Sequence, residues 1–154
     1  MGEARCSLNE VRVRLAEGDV LYNTSPVDSY EKAGEMLRRI MKDIDRECMY
    51  VVNLDGKLKP INYHLVSIGT VNKCMLDIAG IFKTAILSNA AAVMILHNHP
   101  SGCIEPSDCD DETTSRVADA GRILGIQLVD HVIVGGINGY TYSYRQNRRA
   151  TEWD

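Results

Sequence analysis

The feature that most constrains this chain is the apolar run Ala90 to Leu96, which stops abruptly at His97-Asn98-His99 and a Pro100-Ser101-Gly102 turn. The apolar stretch from Ala91 to Leu96 is too short for a buried helix and ends in Val93-Met94-Ile95-Leu96. It predicts a central, fully buried strand. Such a strand needs a sheet around it and helices packed against that sheet.

The rest of the sequence supplies both. Val11, Val13 and Leu15 alternate with Arg12 and Arg14, the period-2 pattern of a half-exposed strand. Ser25-Pro26 reads as an N-cap and first helical residue, with Asp28 as an approximate capping partner. Val27, Tyr30, Gly34, Leu37, Ile40 and Ile44 then recur at helical spacing, predicting a helix over 26–44 with Arg38, Arg39, Lys42 and Asp43 on its wet face. Cys48 to Leu54 predicts a buried strand, Asp55-Gly56 a hairpin turn, and Leu58 to Gly69 the return strand. Pro60 marks an edge position or an irregular start. Leu76 to Ser88 predicts a core-packed helix. Ser107 to Leu124 predicts a second, closed by Gly125, followed by a strand from Gln127 to Val134. Gly135 to Gly139 is a turn and Tyr140 to Tyr144 a last short strand. The expected fold is α/β, a mixed sheet flanked by helices. The expected division is a lead-in and strand over 1–25, one domain over 26–145 and a tail over 146–154.

Composition narrows the function. A formal charge of −4 argues against a general nucleic-acid binder, although Arg145, Arg148 and Arg149 cluster near the C-terminus, where a solvated tail is the ordinary reading. No apolar run approaches the ~20 residues of a membrane span, and the N-terminus has no apolar signal core. Met1-Gly2 superficially suggests myristoylation, but Cys6 stands where that motif wants Ser or Thr. The five cysteines (6, 48, 74, 103 and 109) are odd in number and irregularly spaced, so the expectation is free thiols in the cytoplasm.

The chemistry concentrates after the central strand. Histidines at i and i+2 of an extended segment point to the same side, so His97 and His99 can converge on one ion. If Ser107 is an N-cap, Asp110 falls at the third helical position and its carboxylate can swing back toward the loop. Two histidines and an aspartate make the three protein ligands of a catalytic zinc site. Ser107-x-x-Asp110 is equally an ordinary capping pair, and the two readings are compatible. A general base is still required. Glu105, Asp108 and Glu47 are the acidic candidates, Glu47 because it heads an apolar strand. His64 and His131 sit within strands without ligand-like neighbours and read as structural.

His97-x-His99, seven residues, Ser107, two residues and Asp110 resembles the H-x-H-x7-S-x-x-D motif of JAMM (MPN+) metalloproteases. His97-Asn98-His99-Pro100-Ser101-Gly102 with Pro106-Ser107, flanked by Asn89-Ala90-Ala91-Ala92 and Asp130-His131-Val132-Ile133-Val134-Gly135-Gly136, resembles the bacterial RadC family over residues 26 to 144. The resemblance implies a JAMM/MPN-like, three-layer domain related in shape to cytidine deaminases. It also implies one Zn²⁺ per chain on His97, His99 and Asp110. Glu47 would be the base and Ser107 the hydrogen-bond donor to the oxyanion, in a hydrolase of peptide or isopeptide bonds. The partner expected is then a protein or peptide substrate.

An alternative implied by the same resemblance is a non-catalytic metal-binding module of a DNA-repair or mobile-element system. Only about 25 residues precede the first predicted helix, so the expectation is a short form without the helical N-terminal extension of full-length RadC proteins and without direct DNA binding; Cys103 stands where the family loop has an acidic residue. A deaminase would want H-x-E and P-C-x-x-C, which are missing. A structural zinc on Cys103 and Cys109 has the wrong spacing.

Overall fold

The computed structural model describes residues 15, 25–41, 44–69, 77–136 and 139–153. The alternation predicted from Val11 to Leu15 falls outside this set except for Leu15, which is exposed. The start of the 76–88 helix at Leu76 and the Ile137-Asn138 turn also lie outside.

Eight elements follow one another: α1 (Tyr30–Ile40), β1 (Cys48–Leu54), β2 (Pro60–Ile68), α2 (Ile78–Leu87), β3 (Ala92–Asn98), α3 (Asp108–Leu124), β4 (Gln127–Val134) and β5 (Thr141–Ser143). The sheet order is β2-β1-β3-β4-β5. β3 lies antiparallel to β1 and parallel to β4, and the outer pairs are antiparallel, so the sheet is mixed. Every residue of β1 and β3 is buried. Ala92, Met94 and Leu96 face one core with Leu37 and Met36 of α1. Val93 and Ile95 face the other with Ile81 and Phe82 of α2 and Val117 of α3. Each such side chain contributes about 1.5–3 kcal/mol when taken fully from water, which is why the central strands tolerate no polar residue at these positions. The arrangement is a three-layer α/β domain, as the sequence resemblance implied. Among the described residues no helix is long and apolar enough to cross a membrane.

The ends of the elements correct several expectations. α1 begins at Tyr30, not residue 26, because Ser29 is the N-cap and its Oγ accepts from Lys32 N. The Ser25-Pro26 stretch stays non-helical, and Val27 N instead donates to Leu58 O of the hairpin. The helix ends at Ile40, with Met41 as its C-cap. Arg38 is not simply solvated: its guanidinium donates to Gly139 O and Thr141 Oγ1 at 2.8 and 2.9 Å. In β2 Tyr63 and Leu65 pack on the α1 side and Val66 on the other, the ordinary strand alternation, and a register shift opposite Met49/Tyr50 interrupts the pairing just beyond Leu65. Pro60 does open an edge strand, where its missing N–H costs no ladder bond. Cys48 and Cys103 are free thiols, but Cys109 is disulfide-bonded, which corrects the expectation of free thiols throughout. Cysteine spacing does not say which sulfurs the fold brings together.

Candidate metal centre

The site lies where the central strand leaves the sheet. His97 occupies the α2/α3 face of β3, two residues beyond Ile95, and is 3% exposed. His99 N donates to Val134 O at 2.8 Å, which extends the parallel pairing with β4 one step past the strand. The chain then turns back: Gly102 N donates to His99 O, and Gly102 takes φ +85, a left-handed conformation that glycine adopts without a Cβ clash. The turn delivers the Cys103 carbonyl to 2.7 Å from His99 Nδ1. A carbonyl can only accept, so His99 carries its proton on Nδ1 and leaves Nε2 as a lone-pair donor. Cys103 thus contributes through its backbone. The two imidazoles meet edge to face with centroids 4.7 Å apart.

α3 supplies the carboxylate. Ser107 is its N-cap, and a reciprocal capping box forms with Asp110. Asp110 N donates to Ser107 Oγ, while Asp110 Oδ2 accepts from Ser107 N at 2.8 Å and from Ser107 Oγ at 2.7 Å. The cap leaves Oδ1 free to face His97, 3.1 Å from its Nδ1, while the capping oxygen Oδ2 lies 3.7 Å from His99 Nε2. Capping and facing the histidines are therefore two jobs of one buried side chain.

Of the three acidic candidates for a base, Glu105 and Asp108 are exposed, and Glu47 is the one brought to the histidines. Glu47 Oε1 lies 2.8 Å from His97 Nε2. Ligand atoms of Glu47, His97 and His99 all fall within 4.8 Å of one another, a set able to hold a metal ion. His97 Nδ1 is buried and makes no aligned hydrogen bond despite the nearby Asp110 oxygen. An orphaned ring nitrogen among carboxylates and a second imidazole is what a borderline-soft dication such as zinc fits.

The electrostatics are those of a compact anionic pocket around imidazoles. Burial pulls the His97 pKa down, but the adjacent carboxylates of Asp110 and Glu47 outweigh it and raise the value to about 9. Burial works to raise the Asp110 carboxyl, yet the nearby His97 and His99 rings and the bond from the Ser107 hydroxyl prevail and hold it far below the usual carboxylate range. The hydrogen bond from His97 also lowers Glu47.

Two residues of the site were not picked out from the sequence. Asn98, between the histidines, points to the opposite face and is 2% exposed. Its Oδ1 accepts from Cys48 N at 2.6 Å and its Nδ2 donates to Arg46 O at 2.9 Å, so it grips the backbone on both sides of Glu47. The signal was available: a polar residue at a buried register must find partners. His131, read as merely structural, is fully buried with its ring 5.8 Å from that of His97 and 4.7 Å from that of Tyr144. Burial lowers its pKa to about 3, so it is neutral. His64 is exposed on β2. The basic C-terminal group is not all a solvated tail: Arg149 grips Asp111 of α3 through two bonds of 2.7 and 2.8 Å, and Tyr144 Oη donates to the same carboxylate.

Comparison with known proteins matches this architecture to one family. The family model for the RadC-like JAB domain matches residues 27–149. The chain belongs to the RadC-like JAB-domain family. It is 46% identical over 100 residues to a UPF0758 protein of Rubrobacter xylanophilus, covering 65% of this chain and 44% of that protein. It is 41% identical over 114 residues to a UPF0758 protein of Syntrophomonas wolfei, covering 74% and 48% respectively. A third UPF0758 protein, from Thermotoga maritima, is 40% identical over 122 residues, covering 79% and 52%. The chain thus spans about half the length of these RadC-family relatives.

Proposed function

We propose that this RadC-like JAB domain is a zinc-dependent hydrolase of the JAMM type acting on a peptide or isopeptide bond. The observation that carries the reading is the convergence of Glu47, His97 and His99, whose ligand atoms lie within 4.8 Å of one another, with the buried Asp110 carboxylate from a third segment beside both histidines. In this reading His97, His99 and Asp110 hold the ion. A zinc bound there supplies Lewis acidity and makes hydroxide available at neutral pH. Glu47 is 36% exposed and so reaches both the site and solvent. It takes the proton of the attacking water and passes it to the leaving amine. Ser107 orients Asp110 in the resting protein. Its hydroxyl must swing from Asp110 Oδ2 to stabilise an oxyanion, a motion of one χ angle.

The test is metal analysis followed by a peptide-library cleavage screen. The expected content is about one zinc per chain, lost in His97→Ala and Asp110→Ala. Full metal retention in both variants would overturn the reading. Glu47→Gln should keep fold and metal but lose turnover by at least ~100-fold; an active variant would mean that the base is another group.

One observation favours the second reading, a metal-binding module that serves a DNA-repair or mobile-element system through partners. The Ser107 proton is spent on Asp110, which is the arrangement of a resting ligand shell. A Glu47→Gln protein that fully supported the cellular role would decide for it.

A further inference from the structure

Thr114 and His131 lie beneath the metal centre, fully buried, with no part in the proposed chemistry. Thr114 Oγ1 donates to the carbonyl of Asp110, four residues back in α3, at 2.7 Å. The same oxygen lies 2.7 Å from His131 Nδ1. The hydroxyl has one proton, and the Asp110 carbonyl can only accept it. His131 Nδ1 must therefore be the donor to Thr114 Oγ1, and the chain of bonds runs His131 to Thr114 to Asp110. That assignment leaves His131 Nε2 as the unprotonated atom, and Nε2 is one of three buried side-chain atoms without a hydrogen-bond partner among the described residues.

An orphaned buried acceptor costs roughly 1–3 kcal/mol. A purely structural position would be served as well by an apolar ring stacked on Tyr144. What histidine adds is the Nδ1–H. It ties the first turn of α3 to β4, the strand paired in parallel with the one that carries His97. His131 also stacks against the His97 ring, at an interplanar angle of 23°. The tether thus fixes the Asp110 main chain relative to His97, while Ser107 fixes its side chain.

We propose that His131 and Thr114 are a positioning pair that sets Asp110 against the two histidines, so that metal affinity depends on residues that touch no metal. The inference rests on the reading of Asp110 as a ligand. Outer partners of this kind change metal affinity by about 10–100-fold.

The test is competition for Zn²⁺ against a chromophoric chelator, with the thermal midpoint of each metal-free variant recorded in parallel. Thr114→Val keeps the shape and removes the bridge; His131→Phe keeps the ring and removes the donor. Both should bind zinc at least ~10-fold more weakly. His131→Asn, whose amide N–H stands near the Nδ1 position, should stay within about threefold of the unaltered protein. Val117→Ala, in the α2/α3 core and away from the ligands, should lower the midpoint and leave affinity unchanged. Thr114→Val and His131→Phe proteins that bind zinc as tightly as the unaltered protein would overturn the inference. So would affinities that merely track the midpoint, as judged against Val117→Ala. If His131→Phe fails to fold, the near-isosteric Thr114→Val decides alone. An unaltered protein that takes up no zinc would instead overturn the metal centre itself.

Discussion

Gly135→Ala is the sharpest test of how the histidine loop is held. Gly135 follows β4 and backs directly onto the turn after His99. A Cβ at this position would stand 2.5 Å from Gly102 O, 2.8 Å from Ile104 Cγ2 and 3.0 Å from Gly102 C. Ordinary contact begins at 3.4 Å, so the Gly102 carbonyl must retreat by about 0.9 Å. It is main chain, not the end of a flexible side chain. Its retreat drags Cys103, whose carbonyl holds His99 Nδ1 at 2.7 Å. Most of that displacement passed to Cys103 would stretch the bond to about 3.5 Å, beyond useful hydrogen bonding. His99 would lose the partner that fixes its tautomer. The expected outcome is zinc affinity lower by about 10-fold or more, with a stability loss of about 1–3 kcal/mol from overpacking. Chelator competition and urea unfolding measure the two. A Gly135→Ala protein with unaltered zinc affinity would refute the argument that this close approach positions His99.

Other perturbations separate the parts of the site. Asn98→Ala leaves Cys48 N and Arg46 O without their partner beside Glu47. It should cost about 2–4 kcal/mol in urea unfolding, with turnover falling further than metal content. Arg149→Ala should cost stability near neutrality but not in strong acid. The Arg149 bond holds the Asp111 carboxyl below its ordinary 3.8, so the stability it contributes is full well above that pH and is lost as pH falls through the depressed value. Unfolding curves of the variant and the unaltered protein should therefore converge in strong acid and separate by about 1 kcal/mol near neutrality. Ser107→Ala removes both a cap acceptor and a donor to Asp110. It should cost about 1 kcal/mol in thermal unfolding and weaken zinc binding.

Much of the site was legible because its spacing is local. The interval from His97 to His99 is set by strand geometry, and that from Ser107 to Asp110 by the first turn of a helix, so residue types alone indicated which side chains could share a face. Gly125 at the end of α3 was legible for the same reason, with φ +70. The start of α1 was not. Ser25-Pro26 has the residue types of a helix start, but the bond of Val27 N to Leu58 O in the hairpin holds that stretch out of the helix and leaves the cap to Ser29.

By itself the sequence determined the buried central strand, the strand–helix alternation around it, and the histidine pair with a capped aspartate one loop away. These follow from periodicity and from bonds spanning a few residues. Tertiary structure alone decided the rest. The β1–β3 register, Met49 opposite His97, brings Glu47 to His97 across fifty positions of chain. Asn98 holds that register from the far face. His131, unremarkable on its strand, reaches Thr114, and through it the Asp110 carbonyl, only because β4 runs parallel beside β3 under α3. No local pattern encodes such contacts, because each depends on where two distant segments stop moving relative to one another. The histidine pair with which the central strand ends is therefore half a site in sequence, and sheet register completes it.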